Sequence, residues 1–252
     1  MRDTSPMYSW TRLRRILVVV LLLPVAHFGI MVSGDLRDVL NPAPTVWESE
    51  VSNIEQRSNL DPAAGPPLVI IGGRQAKLWR GLEDTFFPMA VLNNGIGSAN
   101  IDDVLYYFDR LVKPYQPQAV LMVPGPSDFI MRDHKSPDDY MLMLKGLSNY
   151  VIGLDGEPHF YVVTLNKWPR FPGYWGTVDT VNHLMETWAD QQAGVTLIDA
   201  RRLFEQGGGL PVRPMFRADG INLNDWGYMQ MSLLLRQQID SDYPYQHQQP
   251  GR

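Results

Sequence analysis

The sequence predicts an α/β fold in which helices cover both faces of a parallel sheet. Five short runs carry the prediction: LVIIG (68–72), MAVLN (89–93), AVLMVP (119–124), HFYVVT (159–164) and VTLID (195–199). They are apolar almost throughout rather than alternating, as strands buried on both faces are. Stretches with helical spacing separate them, the pattern of strand–helix–strand crossovers.

Taken in order, the chain begins with a basic tail over 1–15, including TRLRR at 11–15. An apolar stretch from Ile16 to Val32 follows, ILVVVLLLPVAHFGIMV. That length suits a bilayer span, and 16–34 is read as a transmembrane anchor, with a cleaved signal peptide as the alternative. Basic residues before it and Asp35, Asp38, Glu48 and Glu50 after it orient the tail to the cytoplasm. The expectation is a single-pass membrane protein whose bulk is extracytoplasmic, periplasmic in a Gram-negative cell. His27, near the outer end of the stretch, is expected to reach the interface.

Residues 35–66 are a connector. Within it Thr45 and Glu48 stand at capping-box spacing, which predicts a helix over about 46–57. The DPAAGPP segment ends it and leads into the first strand. The domain proper is predicted over 67–240. After the second strand, Asn100 caps a helix whose Ile101, Val104, Leu105, Phe108 and Leu111 form one apolar stripe. Val178, Val181, Met185 and Trp188 form another. A last helix over about 225–239 carries Trp226, Met229 and Leu233 on one face, read as core. The polar remainder, 241–252, is read as a disordered tail.

Composition removes several classes of function. The net charge is −5 and no basic run follows Arg12, Arg14 and Arg15, so nucleic acid is excluded as a partner. There is no cysteine, hence no disulfide, thiolate nucleophile or thiolate metal site. No metal-ligand spacing occurs, and no cofactor is expected.

In a parallel sheet the loops at the carboxyl edge form the binding crevice. Here those loops are Gly72–Gln75, Asn93–Asn100, Gly125–Phe129 and RADGINLN at 217–224. Their order and spacing resemble the SGNH (GDSL-type) hydrolases, especially bacterial members similar to platelet-activating-factor acetylhydrolase subunits, over roughly residues 46–240. The resemblance implies a three-layer α/β/α sandwich with five parallel strands in the order 2-1-3-4-5. It also implies a nucleophilic serine, two oxyanion-hole residues and a histidine base. At those positions IGGRQAKLW holds Arg74, NNGIGSAN holds Ser98, GPSD holds Ser127 and DGINLN holds Asn222. Asp219, the base's orienting carboxylate, is retained.

These substitutions have chemical consequences. Arg74 offers no nucleophilic hydroxyl and stays protonated, and Asn222 cannot take up and return a proton. The expectation is a catalytically degenerate protein that binds a ligand or an envelope partner, by family analogy a polysaccharide or its modifying machinery. Candidate ligand-binding residues are Arg74, Ser98, Ser127, Asp128 and Asp219. The alternative is an acyl or acetyl esterase with a rebuilt site, using the Ser98 or Ser127 hydroxyl. Of the histidines, His134 lies nearest the GPSD loop, while His159 and His183 read as ordinary polar positions. Arg74 itself has two readings: a plug paired with Asp219, which a neighbouring carboxylate favours, or a fork offered to an anionic ligand.

Overall fold

Strand β1 (Leu68–Gly72) lies between β2 (Val91–Asn93) and β3 (Ala119–Val123), and β4 (His159–Val163) and β5 (Val195–Ile198) complete the sheet. All pairings are parallel and the order is β2-β1-β3-β4-β5. The computed structural model describes residues 14–25, 27, 43–57, 65–130 and 134–243. Contacts divide the chain into residues 1–41 and 42–252.

In the first unit, residues 14–25 are helical, and the apolar side chains from Ile16 to Val25 stand 47–65% exposed. Among the described residues no helix is long and apolar enough to cross a membrane. Most of the basic tail, Ala26 and the remainder of the predicted anchor, 28–34, lie outside the described residues.

The second unit is the sandwich. Side chains alternate across each strand, so the sheet feeds two cores. Val69, Ile71, Val120, Met122, Phe160 and Val162 face one of them. It is covered by α1 (Glu48–Arg57), α4 (Ile101–Tyr106), α5 (Phe108–Leu111), α6 (Pro137–Ile152) and α7 (Trp175–Ala189). Leu68, Ile70, Leu121, Val123, Tyr161 and Val163 face the other. There α2 (Arg74–Lys77), α3 (Leu82–Phe86), α8 (Arg201–Phe204) and α9 (Asp225–Asp242) close the layer.

The predicted connector helix is an integral part of this packing. Its Val51 and Ile54 are buried in the first core, and Arg110 reaches back to Glu48 at 2.8 Å and Glu55 at 2.7 Å. It enters through a 3-10 turn, Pro44–Trp47, whose cap is Ala43 without a side-chain bond. The Thr45–Glu48 capping box does not form, because the Glu48 carboxylate is taken by Arg110, Tyr107 and Ser52. Trp47 instead donates Nε1 to Asp103 at 3.0 Å and lies so close to Gly97 that a Cβ there would overlap its ring.

Two other expectations change. The helix capped by Asn100 does form with a full capping box to Asp103, but it breaks at Tyr107 (φ −98, ψ 11) into α4 and α5. Ile101, Val104, Phe108 and Leu111 still face inward, so the apolar stripe survives the break. The last helix turns the opposite face to the core. Trp226, Met229 and Leu233 are 53%, 43% and 59% exposed, while Tyr228, Met231, Leu235 and Ile239 are buried. Both faces of this helix are apolar, and the tie that selects one is polar: Tyr228 donates its hydroxyl to Gln75 O at 2.8 Å. The helix runs on to Asp242, into the segment expected to be a tail; residues 244–252 lie outside the described residues.

Candidate functional site

The carboxyl edge brings the four sequence blocks together through backbone contacts that tolerate no side chain. Gly72 has φ +138, and a Cβ on it would collide with Val123 O; one on Gly73 would collide with Ala99 O. Only glycine lets the first block lie this close to the second and third. Ile96 N donates to Gly72 O at 2.9 Å, and Asp128 accepts from Ile101 N at 3.0 Å, tying the second block to the first and third. Gln75 is buried, and its amide donates to Pro124 O at 3.1 Å and accepts from Trp168 Nε1 at 3.2 Å. That amide lies 3.5 Å from Ile221 O in the last block. Through Gln75 the buried side chains of Trp168 and Tyr228 are thus tied to the first block.

Arg74 opens α2 and its side chain is exposed. Among the described residues its guanidinium has no hydrogen bond or ion pair, and no bond joins it to Asp219; its charge registers on Tyr228, whose hydroxyl burial holds above its ordinary pKa against Arg217 and Arg74. The plug is therefore not the arrangement found. Asp219 is occupied by nearer donors: Ile221 N at 2.8 Å, Asn222 N at 3.0 Å and Asn222 Nδ2 at 2.8 Å. Burial works to raise its pKa, but those three bonds and the Arg217 charge outweigh it and hold the carboxyl below its usual range. The local Asx-type turn wins because its donors lie two and three residues away, whereas Arg74 would have to give up solvent and rotamer freedom to reach across.

Asn222, buried, points its amide at Asp219 as a base histidine would point a ring N–H. The geometry of an orienter and its partner is kept while the proton acceptor is absent. Ser98 and Ser127 are also buried, in the loop after β2 and in the turn after β3. The backbone N–H groups of Arg74 and Ser98 donate to no described residue. Asp128 has an architectural role: besides Ile101 N it faces Lys135 at 3.7 Å, and Lys135 pairs with Asp102 at 2.5 Å. It ties the third block to α4.

The histidines are engaged elsewhere. His134 directs Nδ1 to Phe129 O at 3.1 Å. His159 bonds Thr196 Oγ1 at 2.8 Å, and burial holds its pKa below the ordinary value against the opposing charge of Asp242. His183 is exposed on α7. Among the described residues no group of His, Asp and Glu could hold a metal.

No protein-family model matches the sequence, and no curated protein matches it. Solved structures do. A GDSL-like lipase of Bacteroides thetaiotaomicron superposes with a TM-score of 0.66 at 15% identity, over 79% of this chain and all 100% of its own. The chain has the SGNH-hydrolase fold. A Streptococcus pneumoniae protein described as a platelet activating factor shares that fold at TM-score 0.64 and 13% identity, over 89% of this chain and 99% of its own. So does the C-terminal catalytic domain of Streptococcus pneumoniae peptidoglycan O-acetyltransferase A, solved with a methylsulfonyl adduct. Its TM-score is 0.52 at 12% identity, over 71% of this chain and 95% of its own. Identities this low speak for the SGNH fold and leave the activity to be argued from the site.

Sequence reasoning missed the buried contacts of Gln75. Gln75 follows Arg74 directly, but its partners Pro124 and Trp168 are 49 and 93 positions away. The available signal was the WPR at 168–170, a tryptophan just past a strand end.

Proposed function

We propose that the chain is a membrane-anchored, extracytoplasmic SGNH-fold protein that no longer hydrolyses esters and binds an anionic ligand in the crevice. The observation that carries this reading is the exposed guanidinium of Arg74, without a partner among the described residues, at the nucleophile's place. A guanidinium offers two parallel N–H donors to a carboxylate or phosphate. The N–H groups of Arg74 and Ser98 and the hydroxyls of Ser98 and Ser127 add neutral donors in the adjoining loops. Acyl transfer would need a hydroxyl beside a base, and the base position holds Asn222 bonded to Asp219. The likeness to a peptidoglycan O-acetyltransferase domain supports an envelope glycan as the source of the ligand.

Titration of the purified chain with acetate and inorganic phosphate, followed by calorimetry, tests the site. Binding is expected for the wild type and about tenfold or more weaker for Arg74→Ser, the loss of one charge-assisted pair. Equal affinity in the two proteins refutes the reading.

The anchor is supported by the basic tail followed by the apolar run, and by a helix whose apolar side chains from Ile16 to Val25 are exposed on every face. A reporter fused after Arg252 is expected to be active only outside the cytoplasm. Activity inside the cytoplasm overturns that part of the proposal.

A further inference from the structure

Beside the crevice, at the carboxyl end of the edge strand β2, lies a second concavity of about 640 Å³. Its cations come from three places in the sequence: Arg57 ends α1, Lys77 ends α2, and Arg80 sits in the turn before α3. Two of them are held in place. Arg57 donates through Nη2 to Asn93 O at 3.3 Å, and Lys77 pairs with Glu50 at 2.7 Å. Glu50 in turn accepts from Gly97 N at 2.8 Å, so the same carboxylate fixes a pocket lysine and the loop that carries Ser98. Arg80 is exposed and has no hydrogen bond or ion pair among the described residues. Glu83 and Asp84 complete the wall.

We infer that this pocket receives a second anionic group of the same ligand whose first anionic group binds Arg74. The inference rests on the anion-binding reading of the crevice and adds the ligand's chemical class: a molecule with two separated carboxylates or phosphates. Arg74 and Lys77 are three residues apart on one short helix, which places them on neighbouring faces about 4.5 Å apart along its axis. Cationic side chains therefore run from the crevice into the pocket without a break in the helix. With Lys77 paired to Glu50, Arg57 and the unpaired Arg80 are the donors left for one anionic group, and the carboxylates of Glu50, Glu83 and Asp84 disfavour a long polyanion threaded through the pocket. Arg57 and Lys77 are already ordered by their protein partners, so less conformational entropy is lost when an anion docks.

The test uses the full chain and a series of α,ω-dicarboxylates from succinate to sebacate, with monocarboxylates of matching length as controls and α,ω-bisphosphonates to separate phosphate from carboxylate. Affinity is expected to peak at one dicarboxylate or bisphosphonate length, at least about tenfold above the matching mono-acid. Both Arg57→Glu and Arg80→Glu should reduce that ratio to about one. Circular dichroism melts confirm that each variant folds; each reverses a charge of the same pocket, so one well-folded variant suffices. A length-dependent gain that survives both charge reversals overturns the inference. So does the lack of any gain when mono-acids still require Arg74, a result that leaves the crevice reading standing. If mono-acids bind Arg74→Ser as well as wild type, the crevice reading falls and this inference falls with it.

Discussion

Replacing Arg74 by Ser and Asn222 by His together should create measurable ester hydrolysis, at least about a hundredfold above either single variant on a short-chain aryl ester. Nucleophile and base act as a unit, so a hydroxyl without a base is a weak nucleophile and a base without a hydroxyl has no proton to take. The orienting carboxylate is already in place, since Asp219 holds the side chain at 222 by a 2.8 Å bond and is kept ionised by the backbone N–H groups of Ile221 and Asn222. A histidine there meets the acceptor it needs for its second ring nitrogen. The gain should stop well short of an efficient enzyme. Ser98 and Ser127 stand where oxyanion donors belong, and losing one such donor costs about 10²–10³ in turnover. A double variant no faster than the singles would mean that positions 74 and 222 do not face each other as the contacts around Gln75 imply.

The second large effect falls on stability. Asp128→Ala should lower the folding free energy by about 3–4 kcal/mol, because it removes a buried carboxylate whose partners remain buried. Ile101 N loses its acceptor at the start of α4, and Lys135, itself largely buried, loses a carboxylate at 3.7 Å. For a domain of this size that corresponds to a fall in Tm of roughly 10 °C in a calorimetric or circular-dichroism melt. A shift under about 2 °C would contradict that architectural role. Asp128→Asn should cost less, since the amide oxygen still accepts from Ile101 N.

The sheet was readable from the sequence because its signal is local. Each strand is a run of apolar residues, and four of the five begin on the residue predicted; the second begins at Val91 rather than Met89. The strand order came with the family resemblance, through the glycines and turn residues of four short blocks. What was not readable depends on partners distant in sequence. The stripe Trp226, Met229 and Leu233 has the spacing of a core face, yet Tyr228 and Met231 compete with it, and the bond from Tyr228 to Gln75 decides between them. The helix after Asn100 breaks at Tyr107, whose hydroxyl is drawn to Glu48 at 3.3 Å from a segment that looked like a linker. Arg74 was placed at the right edge, but pairing it with Asp219 overlooked the turn that Asp219 itself forms. A carboxylate two residues before a free N–H is satisfied locally before a long side chain can compete. The pocket beside β2 was invisible for the same reason: Arg57, Lys77 and Arg80 form no motif, and only the packing of α1 against the sheet edge brings them to one cavity.

The central claim is that the SGNH fold here has been turned from acyl transfer to binding, and wild-type hydrolysis of a short-chain aryl ester tests it most directly. The account predicts turnover indistinguishable from buffer for the wild type, unchanged in Ser127→Ala and His134→Ala. Hydrolysis well above buffer that either substitution abolishes would show that the crevice houses a rebuilt catalytic site, and would contradict the account.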